Sequence, residues 1–215
     1  MTVSSSLTAD EINALPDEFA LLRTCMARIP DHRQAKGNLY ALPDVLSLVV
    51  LGLMAECRSL SAIMRFGAAH PEILPVLGLR AAPSVPTLSR VLAGVNPEAV
   101  RAALRQFAQT LVVQRGVSIA VAGMDGKTLR GVHEGQGLTH LLHIFALESA
   151  IVLDAVPVGS VRGEVAAAER WIAEMASNFP GLRVLTADAL YADRGLCAAI
   201  VAQDYAYLIK LKKTS

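Results

Sequence analysis

With 215 residues, 53% of them apolar, the chain can bury one large core or two small ones, and it is too apolar for a disordered protein. Its formal net charge of +1 hides a gradient: residues 1–22 carry four acids and no Lys or Arg, whereas residues 23–115 carry eleven basic residues against five acids. Cys25, Cys57 and Cys197 form no CxxC pair, the start lacks a basic-then-apolar leader, and the longest apolar stretch, 45–55, falls short of the roughly 20 residues a membrane span needs. These features exclude a disulfide framework, a zinc knuckle and a membrane partner, and point to a soluble, cytoplasmic protein.

In chain order, residues 1–18 read as a polar arm that enters a helix after Thr8 or Asp10, and 19–29 as a short helix ended by Pro30. A polar linker, basic on balance, fills 31–38. Pro43 and Asp44 open a helix to about Cys57 whose apolar residues cover nearly the whole surface, which predicts the core of a helical subdomain. Ser59 or Ser61 starts another helix, stopped near His70-Pro71. Ser84-Val85-Pro86-Thr87 and Asn96-Pro97-Glu98 are two further helix starts, the second reaching Gln114. Four helices are thus predicted over 40–115. Residues 84–91 resemble the second half of a helix-turn-helix that exposes Arg90, a candidate DNA contact; an ordinary surface arginine gives the same pattern. The helical N-terminal domain is expected to cover 1–116. Its ten arginines suit a polyanion, since the guanidinium forks a phosphate better than an ammonium does.

From residue 117 the texture changes. Strands are predicted at 119–124, 139–147 and 151–158, a helix from Val161 through Met175, a strand at 183–187, a helix at 193–203 and a last strand at 205–211. The first apolar run stops at Asp125, with Gly126, Lys127 and Arg130 just after it. The fourth strand stops in the same way at Asp188. Three antiparallel strands followed by a crossover helix and a strand parallel to the first is the start of a ribonuclease-H-like sheet, in which the first and fourth strands are neighbours. Asp125 and Asp188 would then meet. Two carboxylates at close range repel unless a cation lies between them, and hard oxygen ligands favour Mg²⁺ or Mn²⁺. The plainer alternative is that both are caps or loop acids. His140 and His143, three apart on a strand, face opposite ways and make no zinc pair. His133 reads as a loop residue and Trp171 as packing. Gly126-Lys127-Thr128 is no phosphate loop, because Val121 stands where that loop needs glycine. The predicted fold class is α+β: a helical N-terminal domain, then an incomplete ribonuclease-H-like mixed sheet flanked by helices, over 117–215.

Three stretches carry a resemblance to a known family. They are DHRQAKGNLYALPDVLSLVVLGLMAECRSLSAIMRF together with SVPTLSRVLAGVNPEAV; Met124-Asp125-Gly126-Lys127-Thr128-Leu129-Arg130-Gly131; and Leu185-Thr186-Ala187-Asp188-Ala189-Leu190 with Asp204-Tyr205-Ala206-Tyr207-Leu208-Ile209-Lys210. The chain resembles the insertion-sequence transposases of the H-repeat-associated type, which use Asp-Asp-Glu catalysis, from about residue 20 to 210. The resemblance implies that Asp125 and Asp188 are the first two metal-binding acids of a DNA strand-transfer site. It also implies that the family's third acid, a glutamate, lies on a helix beyond Ser215. Where the family has a Lys-Ser-Asn-Glu-like motif, Val161-Arg162-Gly163-Glu164 keeps only the acid, and Leu211-Lys212-Lys213 stands in place of Gly-Asn-Gln.

The expectation is therefore a shortened, nucleoid-associated DNA transposase of the Asp-Asp-Glu class, weakly active or inactive. Its cofactor would be Mg²⁺ or Mn²⁺ on Asp125 and Asp188. Lys127, Arg130, Arg90, Lys210, Lys212 and Lys213 are the candidate DNA contacts. Its partners would be transposon ends, target DNA, and a second copy or a full-length transposase. The alternative is a DNA-binding or interaction module without chemistry. A small-molecule α/β enzyme is a third reading, to be marked by an enclosed pocket away from both aspartates.

Overall fold

The computed structural model describes residues 9–34, 38–128, 140–149, 151–159 and 163–211, and of 9–16 the helical backbone alone. Two compact units divide the chain, Met1–Phe107 and Ala108–Ser215. Among the described residues there are eight α-helices and one five-stranded mixed sheet, and no helix is long and apolar enough to cross a membrane.

The first unit is helical: α1 (Ala9–Met26), α2 (Leu42–Met54), α3 (Leu60–Ala69), α4 (Ile73–Val76), α5 (Val85–Ala93) and the greater part of α6 (Pro97–Gln114). Its starts follow local chemistry. The Ser59 side chain accepts the Ala62 N–H at 3.1 Å, and the Asn96 carboxamide oxygen accepts those of Glu98 and Ala99, filling donors that a first turn leaves orphaned. The all-round apolar helix α2 buries Leu42, Val45, Leu46, Leu48, Val49 and Leu51, and shows only Leu53 and Met54 at its far end. Arg23 of α1 donates Nε to the buried Asp44 carboxylate at 2.6 Å, so the one acid sunk in this core has its counter-charge.

Two expectations change here. From Ala9 onward the polar arm and the short helix after it are one helix, because Leu22 and Met26 anchor its second half against α2. A single turn, α4, joins the four expected helices; four residues containing a proline carry no readable period.

The second unit alternates in the order β-β-β-α-β-α-β: β1 (Val121–Thr128), β2 (His140–Ala146), β3 (Val152–Val158), α7 (Glu164–Met175), β4 (Val184–Ala187), α8 (Arg194–Ala202) and β5 (Ala206–Ile209). In space the strands run β3-β2-β1-β4-β5, with β1–β2 and β2–β3 antiparallel and β1–β4 and β4–β5 parallel. Crossover helix α7 buries Ala167, Ala168, Trp171 and Ile172 with Ala122, Met124, Leu142 and Ile144 of the strands. The Trp171 indole N–H donates to Asp154 Oδ2 at 3.1 Å, which satisfies a polar group inside that apolar layer. Gly123 of β1 lies so close to the Phe145 ring that a side chain there would overlap it.

Candidate functional site

Asp125 was expected at the end of its strand. It stands instead in the middle of β1, opposite His143, because β2 continues to supply backbone partners as far as the Thr128–His140 pair. On the other edge β1 does end early: its parallel ladder with β4 stops at Met124 opposite Ala187. The next residue on β1 is Asp125, and the next after β4 is Asp188. The register puts both acids one residue beyond the end of the same ladder, by a route the apolar run alone did not specify.

Each acid is held. Side chains alternate along a strand, so Lys127 shares the Asp125 face, and its Nζ lies 2.5 Å from Asp125 Oδ2. Both side chains are about half exposed, so the pair adds little to stability, but it neutralises the acid locally. Asp188 caps the short 3-10 turn Ala189–Tyr191, its Oδ1 accepting the Leu190 N–H at 2.8 Å. The last residue of that turn, Tyr191, is buried and donates its hydroxyl to Glu164 Oε2 at 2.8 Å. Burial, then the Glu164 carboxylate, and then the charges of Asp125 and Asp188 raise the tyrosine's pKa. Glu164, first residue of α7, is 3% exposed, and its carboxylate rests against Gly126 so closely that any side chain at that position would collide with it. His140 Nδ1 lies 3.8 Å from Glu164 Oε1 and 3.2 Å from Thr128 Oγ1. His143, across from Asp125, is held below the usual histidine range, first by burial and then by Lys127, with Asp125 opposing.

The sequence picked out Asp125, Lys127 and Asp188 but missed Tyr191, and it read Glu164 as the acid of a helix start and a substitute ligand rather than as a buried partner of Tyr191. Neither signals its burial locally. The one hint was Gly126, the bare position that Glu164 needs.

As metal ligands, Asp125 and Asp188 offer the hard oxygens that Mg²⁺ or Mn²⁺ prefers, at adjoining positions of neighbouring strands, and in that respect they fit. They are two ligands only. Among the described residues no three His, Cys, Asp or Glu side chains are grouped to hold one ion. Glu164 does not join them, because Gly126 turns its face to α7 and Asp125 the opposite one.

The remaining candidates are spread out. Lys210 is exposed just past β5, and its backbone N–H reaches the Ala187 carbonyl at 3.2 Å, next to Asp188. Arg90, in the helical unit, is exposed on α5, with its Nε on the Pro86 carbonyl at 3.2 Å. With Arg33, Asn38, Tyr40 and Thr87 it lines a cavity of about 380 Å³. Arg33 forks Asp31, with contacts of 2.8 Å to both oxygens, and this hydrogen bonding lowers the Asp31 pKa to about 2. Arg130, Lys212, Lys213 and His133 lie outside the described residues.

Residues 23–108 match the family model described as DDE_Tnp_1-associated, about two fifths of the chain. Transposase-related sequence is therefore present, and it coincides with the helical unit. Among solved structures the chain is similar to the piggyBac transposase in a cryo-EM structure of its synaptic complex with hairpin DNA. The TM-score is 0.44 and the identity 13%, over 93% of this chain and 51% of that one. The chain thus spans about half the length of that transposase chain. No curated protein matches it.

Proposed function

We propose that the chain belongs to a DNA transposase of the Asp-Asp-Glu class, with a DNA-binding helical unit and a ribonuclease-H-like unit that carries the first two acids of a strand-transfer site. One observation supports this reading: the β1–β4 ladder of a five-stranded mixed sheet ends one residue short of both Asp125 and Asp188. The family match over 23–108 supports it from the other half of the chain.

In this reading Asp125 and Asp188 bind Mg²⁺ or Mn²⁺. A metal held there would activate water or a 3′-hydroxyl toward a phosphodiester and stabilise the leaving oxygen. Lys127 balances the acids until DNA arrives and then turns to a phosphate, with Lys210 close by and Arg130, Lys212 and Lys213 assigned to the same backbone. Arg90 contacts DNA from the helical unit. With two acids the metal is held loosely, and weak activity is expected of the 215 residues by themselves.

The test is a calorimetric Mn²⁺ titration of the wild type and of Asp188→Ala. Binding that disappears in the variant supports the reading; no binding in the wild type, or binding indifferent to the substitution, removes it.

The Asp125–Lys127 pair favours a second reading, because an acid already neutralised by its neighbour needs no metal. In that reading the chain binds DNA, or pairs with a transposase, without chemistry. Its DNA affinity would fall with salt yet ignore both Mg²⁺ and Asp125→Ala.

A further inference from the structure

We infer that Glu164 is a positioning residue: braced against Gly126 and bonded to Tyr191, it sets the spacing between Asp125 and Asp188. This deepens the proposed function and rests on the reading of those two aspartates as a metal pair.

The argument is one of connectivity. The β1–β4 ladder ends at the Met124–Ala187 pair, so Asp125 and Asp188 are the first residues past it and neither is paired with the other's strand. Past that pair, side-chain contacts add to what the ladder holds. Glu164 touches both segments. One side of its carboxylate rests on Gly126, the residue after Asp125. Its Oε2 accepts the hydroxyl of Tyr191, the last residue of the turn that Asp188 caps. His140, beside Oε1, bounds the third side from β2. Glu164 approaches from the α7 face of the sheet, so it supports the site from beneath without entering it.

The choice of residue needs an explanation as well. A 3%-exposed carboxylate in an apolar core is costly, and a leucine would pack there at less expense. The cost is lowered by the tyrosine hydroxyl and by the N-terminal turn of α7, whose free N–H groups favour negative charge. What a carboxylate adds over leucine is direction. It fixes the tyrosine ring, and through it the turn carrying Asp188, by a hydrogen bond strengthened in a low-dielectric setting. Outer partners of this kind orient metal ligands and set affinity from behind them.

The test uses the whole 215-residue chain and follows Mn²⁺ binding by calorimetry, with amide hydrogen exchange as a readout that needs no metal. Tyr191→Phe removes one hydroxyl from a core that should otherwise fold. It should weaken Mn²⁺ binding roughly 10- to 100-fold and speed exchange at the Leu190 and Tyr191 amides. Glu164→Ala should do the same, and the double variant no more than either single one, because both break the same bond. Glu164→Gln still accepts the tyrosine proton and should stay within a few-fold of wild type. If Tyr191→Phe leaves both affinity and exchange unchanged while Asp125→Ala abolishes binding, the positioning role is overturned and the metal pair stands. If wild type binds no Mn²⁺, or binding survives Asp125→Ala and Asp188→Ala, the metal pair falls and the positioning role with it.

Discussion

Gly126 is where a single atom decides most. A methyl group there would overlap the Glu164 carboxylate, which would have to give up its place beside Tyr191 and His140 to make room. Gly126→Ala is expected to destabilise the fold by about 1–3 kcal/mol, the usual cost of overpacking a core, as read from the urea midpoint, and to weaken Mn²⁺ binding in parallel. Unchanged stability would mean that Glu164 swings away freely. At this scale the sequence was legible in part. Asp125, Lys127 and Asp188 stood out because an acid or a lysine interrupting an apolar run is conspicuous. Tyr191 and Glu164 did not, since their importance comes from burial, and a polar residue buried by distant segments carries no mark of it in its own neighbourhood.

Among the elements, the ones most easily read were those whose stability is local. Caps at Ser59 and Asn96, and Pro43 in the first turn of α2, lie within a few residues of what they stabilise. The uniform apolarity of α2 also foretold its central place, and Leu48 is fully buried on it. Leu48→Ala should cost about 2–5 kcal/mol, the range for cavities left in packed cores, which thermal or denaturant unfolding would register; a loss below about 1 kcal/mol would mean that the helices close the gap. The length of β1 was misjudged for the complementary reason. Gly126 and Lys127 have poor strand character, and they are extended because β2 runs alongside and bonds to them.

Over the whole chain, two compact units each enclose a core of their own. If the proposed DNA-binding role holds, affinity for duplex DNA should fall linearly with the logarithm of salt concentration. Lys127→Ala and Arg90→Ala should each lower that slope by roughly one if each residue meets one phosphate, as fluorescence anisotropy over a salt series would measure. A slope that neither substitution changes would remove both residues from the interface.

By itself the sequence determined the two kinds of architecture and their order along the chain, because helical and strand periods are properties of neighbouring residues. It also determined which acids are candidates for chemistry. Tertiary structure decided what surrounds those acids. The β2 ladder carried β1 on past Asp125, Glu164 came to rest against Gly126, and Tyr191 bound Glu164 to the turn that Asp188 caps. Each of these is a contact between segments well separated along the chain. Such contacts depend on how the sheet is ordered in space, which no local pattern of side chains encodes.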